Sequence, residues 1–258
     1  MSPSIARLTL AVLVLACTAA ANEAPPIPSA ERAKMLADFA AEAEALNKTL
    51  QGEPDAVRLL SRRGDRRLFL GRFPEAVADF ERMIALDPSQ DAPHWRLGIA
   101  YYFAGDFAKS ARQFEKYHAY DARDRENGIW KFLAQVRTDG IEKARAGMLP
   151  YTQFDREPFP ALYDMFAGKK TSDELFAEIT GKGLAGDERV LFFANYYAGL
   201  HEELLGHRDK AAELLRKAVA SPWGRTAEGG PAYMWQAARL HYETLFSASR
   251  DPVAPPAP

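Results

Sequence analysis

Small and apolar residues recur every three or four positions along most of the chain, a spacing typical of amphipathic helices. The clearest run extends from Trp95 to Ala104. It is followed by Gly105, which can adopt a positive φ without a Cβ clash and so end a helix. A second run, from Phe107 to Tyr120, predicts a partner helix with Phe114 facing inward. The pattern therefore predicts a helix-turn-helix unit over these residues.

This unit repeats along the chain with a period of 34 residues. Five positions of one copy recur in the next: Gly64, Gly71, Phe73, Phe80 and Asp87 correspond to Gly98, Gly105, Phe107, Phe114 and Asp121. Gly98 falls inside a predicted helix, where glycine costs roughly 1 kcal/mol relative to alanine. We therefore expect a neighbouring helix to approach it closely. Self-similarity at a period of this length indicates a stacked array of helix pairs.

Four such units and two flanking helices make up a predicted helical domain, residues 30–248. The units span about 57–90, 91–124, 125–187 and 192–222, and the third has lost most of its glycines. Helices at about 30–47 and 232–247 are expected to cap the array, because the ends of a stacked array differ from its interior. Residues 22–29 and 249–258 are rich in proline and poor in large apolar groups, so we predict that they are disordered.

The first 21 residues have the pattern of a secretory signal peptide. Arg7 precedes an apolar run from Leu8 to Ala16, which is too short to cross a membrane as a helix. Cys17, the only cysteine, follows this run in a context that resembles a bacterial lipobox, where the cysteine is lipidated and becomes the mature N-terminus. Cleavage after Ala21 is the alternative, and it would remove Cys17. Neither interpretation allows a disulfide within one chain.

The overall composition is typical of a globular protein that can bury a core. Of the 258 residues, 47% are hydrophobic and 26% are charged, and the formal net charge is −2. Nucleic-acid-binding proteins usually carry a strong basic excess, so we do not expect a nucleic-acid ligand. We expect membrane attachment only through a lipid anchor on Cys17.

The repeated residues resemble the tetratricopeptide repeat. One unit matches at Leu97-Gly98, Tyr101, Gly105-Asp106-Phe107 and Phe114, and the preceding unit matches at Glu75-Ala76, Phe80 and Leu86-Asp87-Pro88. The resemblance implies an all-α fold, a tetratricopeptide-repeat solenoid of about four helix-turn-helix units with capping helices at both ends. Such arrays offer an extended concave surface for binding other molecules.

The order of the units is similar to that of the new lipoprotein I (NlpI) family, outer-membrane lipoproteins of bacteria that face the periplasm. The similarity covers about residues 55–247 and includes Trp95–Asp121, the segment 128–134 and Phe193–Ala220. It implies a non-catalytic envelope adaptor that brings a periplasmic protease together with peptidoglycan hydrolases and works as a homodimer. The alternative is a soluble periplasmic or secreted repeat protein that binds another peptide or an envelope glycan.

A protein-binding groove is predicted on the concave face, which the first helices of the units would line. The side chains placed there by their repeat position are Trp95, Ile99, Tyr102, Ile129, Leu133, Tyr196 and Leu200. Exposed aromatic side chains would supply a partner with large apolar contacts. The alternative is that these residues pack inside the protein, as apolar stripes at helical spacing usually do.

A basic patch is predicted on one helix face, where Arg58, Arg62 and Arg66 are spaced four residues apart. Arginines in this arrangement could bind an acidic peptide, anionic lipid headgroups or the carboxylates of peptidoglycan. The alternative is a solvated face whose arginines pair with acids of the same chain.

The sequence contains no catalytic or cofactor-binding motif that we recognise. His201 and His207 flank two glutamates, but the zinc motif of metalloproteases needs histidines four residues apart. Six residues at ~100° each would place these rings about 240° apart around a helix. A nucleophile elbow, a Walker loop and a dinucleotide-binding glycine motif are also missing. We therefore predict a protein without catalytic residues, cofactor or metal.

Overall fold

The fold of residues 25–247, which a computed structural model describes, consists of helices and their connections. The predicted all-α class is confirmed for these residues. The helices are α1 (Ser29–Gly52), α2 (Val57–Phe69), α3 (Phe73–Leu86), α4 (Trp95–Phe103), α5 (Phe107–Tyr120), α6 (Arg125–Asp139), α7 (Ile141–Ala146), α8 (Phe159–Phe166), α9 (Ser172–Gly181), α10 (Glu188–Leu204), α11 (Arg208–Ala220), α12 (Pro222–Thr226) and α13 (Gly229–Ser247), with a 3₁₀ turn at Pro88–Gln90. No helix within this range is long and apolar enough to span a membrane.

Consecutive helices pack as pairs, α2 with α3, α4 with α5, and α10 with α11. Two residues after the first helix of each pair, the chain reverses at a glycine with positive φ. These glycines are Gly71 (75°), Gly105 (82°) and Gly206 (82°), and a side chain at any of them would strain the backbone. The second helix of the second pair occupies Phe107–Tyr120, as the sequence predicted.

The two helices of a pair approach most closely at a glycine of the first helix. A Cβ atom on Gly98 would lie 2.7 Å from the Phe114 ring, and one on Gly64 would lie 2.5 Å from the Phe80 ring. The same contact recurs in the last pair, where Gly199 faces a leucine 16 positions later in the chain. The close approach expected at Gly98 is therefore present, and it is repeated along the array.

The last helix, α13, lies across the surface formed by the first helices α2, α4, α6 and α10, which we call the inner face. The Tyr233 ring of α13 lies 5.0 Å from Phe69 and 4.9 Å from Trp95. Further along α13, the His241 ring lies 4.7–5.8 Å from the rings of Tyr102, Phe103, Trp130 and Tyr196. The helix predicted to cap the C-terminal end of the array packs on α11 and α12, and it also covers the inner face.

Polar contacts attach α13 to the N-terminal part of the fold. Arg239 is 1% exposed and donates a 2.5 Å hydrogen bond to the Phe69 carbonyl, while Glu243 pairs with Arg32 of α1 at 2.6 Å. Ile27 packs into the same core and is 4% exposed. Part of the segment 22–29, predicted to be disordered, is thus ordered because Ile27 buries its side chain. Cys17, the signal segment and the proline-rich tail lie outside the described residues.

Candidate binding pocket

A cavity of about 380 Å³ lies at one end of the inner face. The N-terminal ends of α4, α6, α10 and α13 meet there with the loop that precedes α8. Its apolar lining consists of Trp95, Trp130, Phe193, Pro231 and Met234, and its remaining lining residues are Asp124, Glu126, Asn127, Arg156, Arg189 and Gly230. The size and the mixture of apolar walls with a few polar groups are typical of ligand sites.

A chain of hydrogen bonds joins α6 to α10 at the base of the pocket. The Trp130 indole N–H donates to the Tyr197 hydroxyl at 3.1 Å, and this hydroxyl donates to Glu126 Oε1 at 2.6 Å. Trp130 and Tyr197 are almost completely buried. Hydrogen bonds shielded from water in this way hold their side chains in one arrangement, so the position of the Glu126 carboxylate is well defined.

Arg156 brings three carboxylates together beside this chain. Its guanidinium donates to a Glu126 oxygen, to Asp155 at 3.0 Å and to Asp124 at 3.4 Å. The same guanidinium lies 4.1 Å from the centre of the Phe159 ring. One cation therefore faces three carboxylates, and we call these four charged residues the acidic cluster.

The start of α6 positions two of these carboxylates. Asp124 is the N-cap of the helix, and it accepts a 3.1 Å hydrogen bond from the Glu126 backbone N–H and a 2.6 Å bond from the Asn127 side chain. Asp155 accepts a 3.0 Å bond from the Arg125 backbone N–H. Carboxylates are favoured at a helix N-terminus, where backbone N–H groups lack helical partners.

Burial changes the charge state of the acidic cluster. It raises the pKa of Glu126 to about 7, because the loss of hydration outweighs the attraction of Arg156. Burial also raises the pKa of Asp124. For Arg156, burial alone would lower the pKa, but the surrounding carboxylates outweigh it and raise the pKa above its ordinary value. The guanidinium therefore stays charged, whereas Glu126 exchanges its proton near neutral pH.

Most of the predicted groove residues lie in the core. Ile99, Ile129, Leu133, Tyr196 and Leu200 are each at most 2% exposed. The prediction that these five line an open groove is therefore corrected: they pack between helices on the inner side of the array, where α13 also lies, and present no surface to a partner.

Trp95 and Tyr102 differ from the other predicted groove residues, because both are partly exposed. Trp95 lines the pocket and packs edge-on against Tyr233 of α13. Tyr102 does not line the pocket; its ring packs edge-on against Trp130 and lies 5.6 Å from His241. Of the seven predicted groove residues, Trp95 is thus the one that the structure brings to the cavity.

Two of the three arginines of the predicted basic patch pair with an acid of the same chain. Arg62 and Arg66 both contact Glu42 of α1, at 2.8 and 2.6 Å. Arg58 is exposed and makes no ion pair with residues 25–247. The pairing on Glu42 lowers the pKa of that carboxyl group, and it connects α1 to α2 within the fold.

Of the two glutamates between His201 and His207, Glu202 has a structural role. Glu202 is buried and bonds to the Ser172 hydroxyl, to His207 Nδ1 at 2.6 Å and to Lys210 at 3.2 Å. Burial alone would raise the pKa of Glu202, but these bonds outweigh it and lower the pKa to about 2. His201 instead packs edge-on against a phenylalanine of α8. Among the described residues, no group of histidine, cysteine and acidic side chains could hold a metal ion.

Glu126, Arg156 and Tyr197 were not predicted from the sequence. One signal was available: Glu126 precedes Trp130 by four residues and so shares a helix face with it, which places a charge on an otherwise apolar face. Arg156 lies in a loop without periodicity, and no pattern marks it. In the sequence, Tyr197 cannot be distinguished from the apolar residues of α10, because its hydrogen-bond partner is 71 positions away in the chain.

The pocket therefore combines apolar walls, a buried carboxylate with a raised pKa and a guanidinium in one cavity. It lies at the end of the inner face where α13 begins. No protein-family model matches the chain.

Proposed function

We propose that this protein is a non-catalytic adaptor of the tetratricopeptide-repeat type whose partner inserts a side chain into the pocket beside Trp95. The observation that carries the proposal is the pocket: a cavity of about 380 Å³ with apolar walls and a few converging polar groups. The repeat assignment is supported by the Gly64–Phe80 and Gly98–Phe114 contacts, which recur 34 residues apart.

The position of α13 directs the partner to the pocket rather than along the whole inner face. A peptide that followed the inner face would have to displace Tyr233 and His241 from the aromatic rings that surround them. The pocket lies beside the first turns of α13 and needs no such displacement. A single inserted side chain, with contacts on the surrounding rim, is therefore the binding mode that the geometry supports.

The cellular location of the protein and the identity of its partner belong to the same proposal. Export through residues 1–21 and a lipid anchor on Cys17 rest on the pattern of the N-terminal segment. A protease and peptidoglycan hydrolases as partners, and a homodimer, rest on the resemblance to the NlpI family. A soluble periplasmic or secreted protein that binds another peptide or a glycan remains the alternative.

One observation favours an enzyme as the second candidate. A buried carboxyl group with a pKa of about 7 in a cavity is a frequent feature of acid–base catalysis. Against this, both oxygens of Glu126 are already bonded, one to Tyr197 and the other to Arg156. Turnover of a substrate that Glu126→Gln abolishes, in a variant that remains folded, would replace the adaptor proposal.

Site-specific photocrosslinking tests the adaptor proposal. A photoreactive amino acid replaces Arg189, whose side chain is 43% exposed at the pocket, and the matched control replaces Arg58, which is exposed on α2. We expect a discrete protein adduct from position 189 in the cells that produce the protein, and none at that level from position 58. Adducts that are equal at both positions, or that contain glycan and no protein, would contradict the proposal.

A further inference from the structure

We propose that the pocket binds a cationic side chain, the lysine or arginine of a partner protein, in preference to an anionic or an uncharged one. This inference rests on the proposed adaptor function and specifies the chemistry that the pocket recognises. Its basis is an excess of buried negative charge beside aromatic walls.

The acidic cluster carries more negative than positive charge. Asp124, Glu126 and Asp155 face the single guanidinium of Arg156, so the cluster has a net charge of −2 when every group is ionised. The three carboxylate side chains are only 21%, 11% and 9% exposed. Water screens such groups poorly, and a second cation close to them would offset the uncompensated charge.

The other nearby arginines do not supply this second cation. Arg125 places its guanidinium over the Tyr151 ring, at 5.2 Å, and it does not line the pocket. Arg189 lines the pocket, but its side chain is 43% exposed and lies 3.6 Å from the Asp187 carboxylate. The negative excess around Glu126 is therefore left for a ligand to neutralise.

The walls suit the rest of a lysine or arginine side chain. Trp95, Phe193 and Met234 offer apolar surface to the methylene stem, while the aromatic faces attract a cation. The guanidinium of Arg156 already lies 5.8 Å from the centre of the Phe193 ring. A cation of this chain therefore already lies close to one aromatic ring of the cavity wall.

Anionic and uncharged ligands fit less well. An anion would meet two of the carboxylates in the lining, and the Arg156 guanidinium is already engaged by three carboxylates. A purely apolar side chain would displace water from Asp124 and Glu126 without offsetting their charge. The charge of the ligand is therefore the property that the pocket selects.

Three small probes of similar size test the selection: the Nα-acetyl N-methylamides of lysine, norleucine and glutamate. Binding is followed by NMR of the indole N–H groups of Trp95 and Trp130, both of which line the pocket. For the lysine probe we expect a Kd on the order of 1 mM, as a ligand of its size allows. We expect norleucine and glutamate to bind at least about tenfold more weakly. The proposal would be overturned if the norleucine or the glutamate probe bound as tightly as the lysine probe or more tightly. It would also be overturned if the lysine probe shifted neither indole N–H resonance.

Two variants test whether the carboxylates of the acidic cluster cause the preference for lysine. Glu126→Gln should weaken lysine binding about tenfold at pH 8 and leave norleucine binding unchanged. The matched control is Glu142→Gln, whose side chain is 83% exposed, and it should change neither. If Glu126→Gln fails to fold, Asp124→Asn replaces it, because the asparagine oxygen can still accept the backbone N–H bond of the N-cap while the charge is removed. Unchanged lysine affinity in the folded variant would overturn the inference.

The pH dependence gives a further check. Glu126 is faced by Asp124 and Trp130 from α6, by Arg156 and Asp155 from the loop, and by Tyr197 from α10. As Glu126 loses its proton near pH 7, lysine affinity should rise between pH 6 and pH 8, and Glu126→Gln should abolish the rise. A wild-type affinity that stays flat over this interval would contradict the inference. Crosslinking from position 189 is independent of the probes, so a failure of the cation preference can be told apart from a failure of the adaptor function.

Discussion

Replacement of Gly98 by leucine tests whether the close contact between α4 and α5 stabilises the helix pair. A Cβ atom at this position would lie 2.7 Å from two atoms of the Phe114 ring, closer than real Cβ atoms approach. The ring cannot move aside easily, because Phe114 is fully buried and stacks on Trp130 at 6.2 Å. The Gly98 carbonyl also accepts a 2.8 Å hydrogen bond from the buried Ser110 hydroxyl, which a displaced α5 would lengthen.

The expected cost follows from these contacts. Leucine gains about 1 kcal/mol over glycine from its helix propensity. Overpacking a filled core costs about 1–3 kcal/mol, and a side chain of four heavy atoms here belongs at the upper end. Disturbing the Phe114–Trp130 stack and the Ser110 hydrogen bond costs about 1 kcal/mol each. The free energy of unfolding should therefore fall by about 2–4 kcal/mol in Gly98→Leu.

Urea unfolding followed by helical circular dichroism measures this change. Gly181→Leu is the matched control, since it lies at the end of α9 with no atom within 4 Å of its Cβ position. We expect the control to stay within about 0.5 kcal/mol of the wild type. A Gly98→Leu variant as stable as the control would refute the packing of α4 on α5 described above, and with it the register of the repeat.

Three further predictions concern the pocket and the N-terminus. Trp95→Ala should lower the free energy of unfolding by about 2–3 kcal/mol, less than the loss for a fully buried tryptophan, because Trp95 is partly exposed. The same variant should no longer bind the lysine probe. Thermal melts measure the first effect and probe titrations the second. Glu126 has a folded-state pKa raised to about 7 from 4.5, so its contribution to stability is complete below pH 4.5 and is lost as the pH rises through 7. Urea titrations should show that loss, up to about 3 kcal/mol, and Glu126→Gln should remove it; a wild-type slope retained in the variant would contradict this. If Cys17 carries a lipid, Cys17→Ser should release the protein from the membrane fraction, whereas a soluble wild-type protein that begins at Asn22 would exclude the anchor.

The sequence by itself determined the local structure. Apolar spacing predicted a helix at Phe107–Tyr120, which is where α5 lies. The cost of a glycine inside a helix predicted that another helix approaches Gly98, as the structure shows. These features depend on neighbouring residues or on positions 16 apart, and the physics of one helix pair is sufficient to predict them.

The placement of α13 was decided only by the tertiary structure. Its apolar residues predict a helix, but the pattern does not show that this helix extends from α11 and α12 across the inner face. Contacts such as Tyr233 with Phe69 and His241 with Trp130 join residues more than 100 positions apart. Because α13 lies on the inner face and its His241 contacts Tyr196, Tyr196 belongs to the core rather than to an open groove.

The candidate pocket also arises from the tertiary structure. Glu126, Arg156 and Tyr197 come from a helix start, a loop and a second helix, and each has an ordinary sequence environment. The pKa of about 7 at Glu126 results from burial, which outweighs the opposing effects of partners 30 and 71 positions away. Helical periodicity records which side of a helix is apolar, but the charge balance of a buried site depends on which distant side chains the packing brings together.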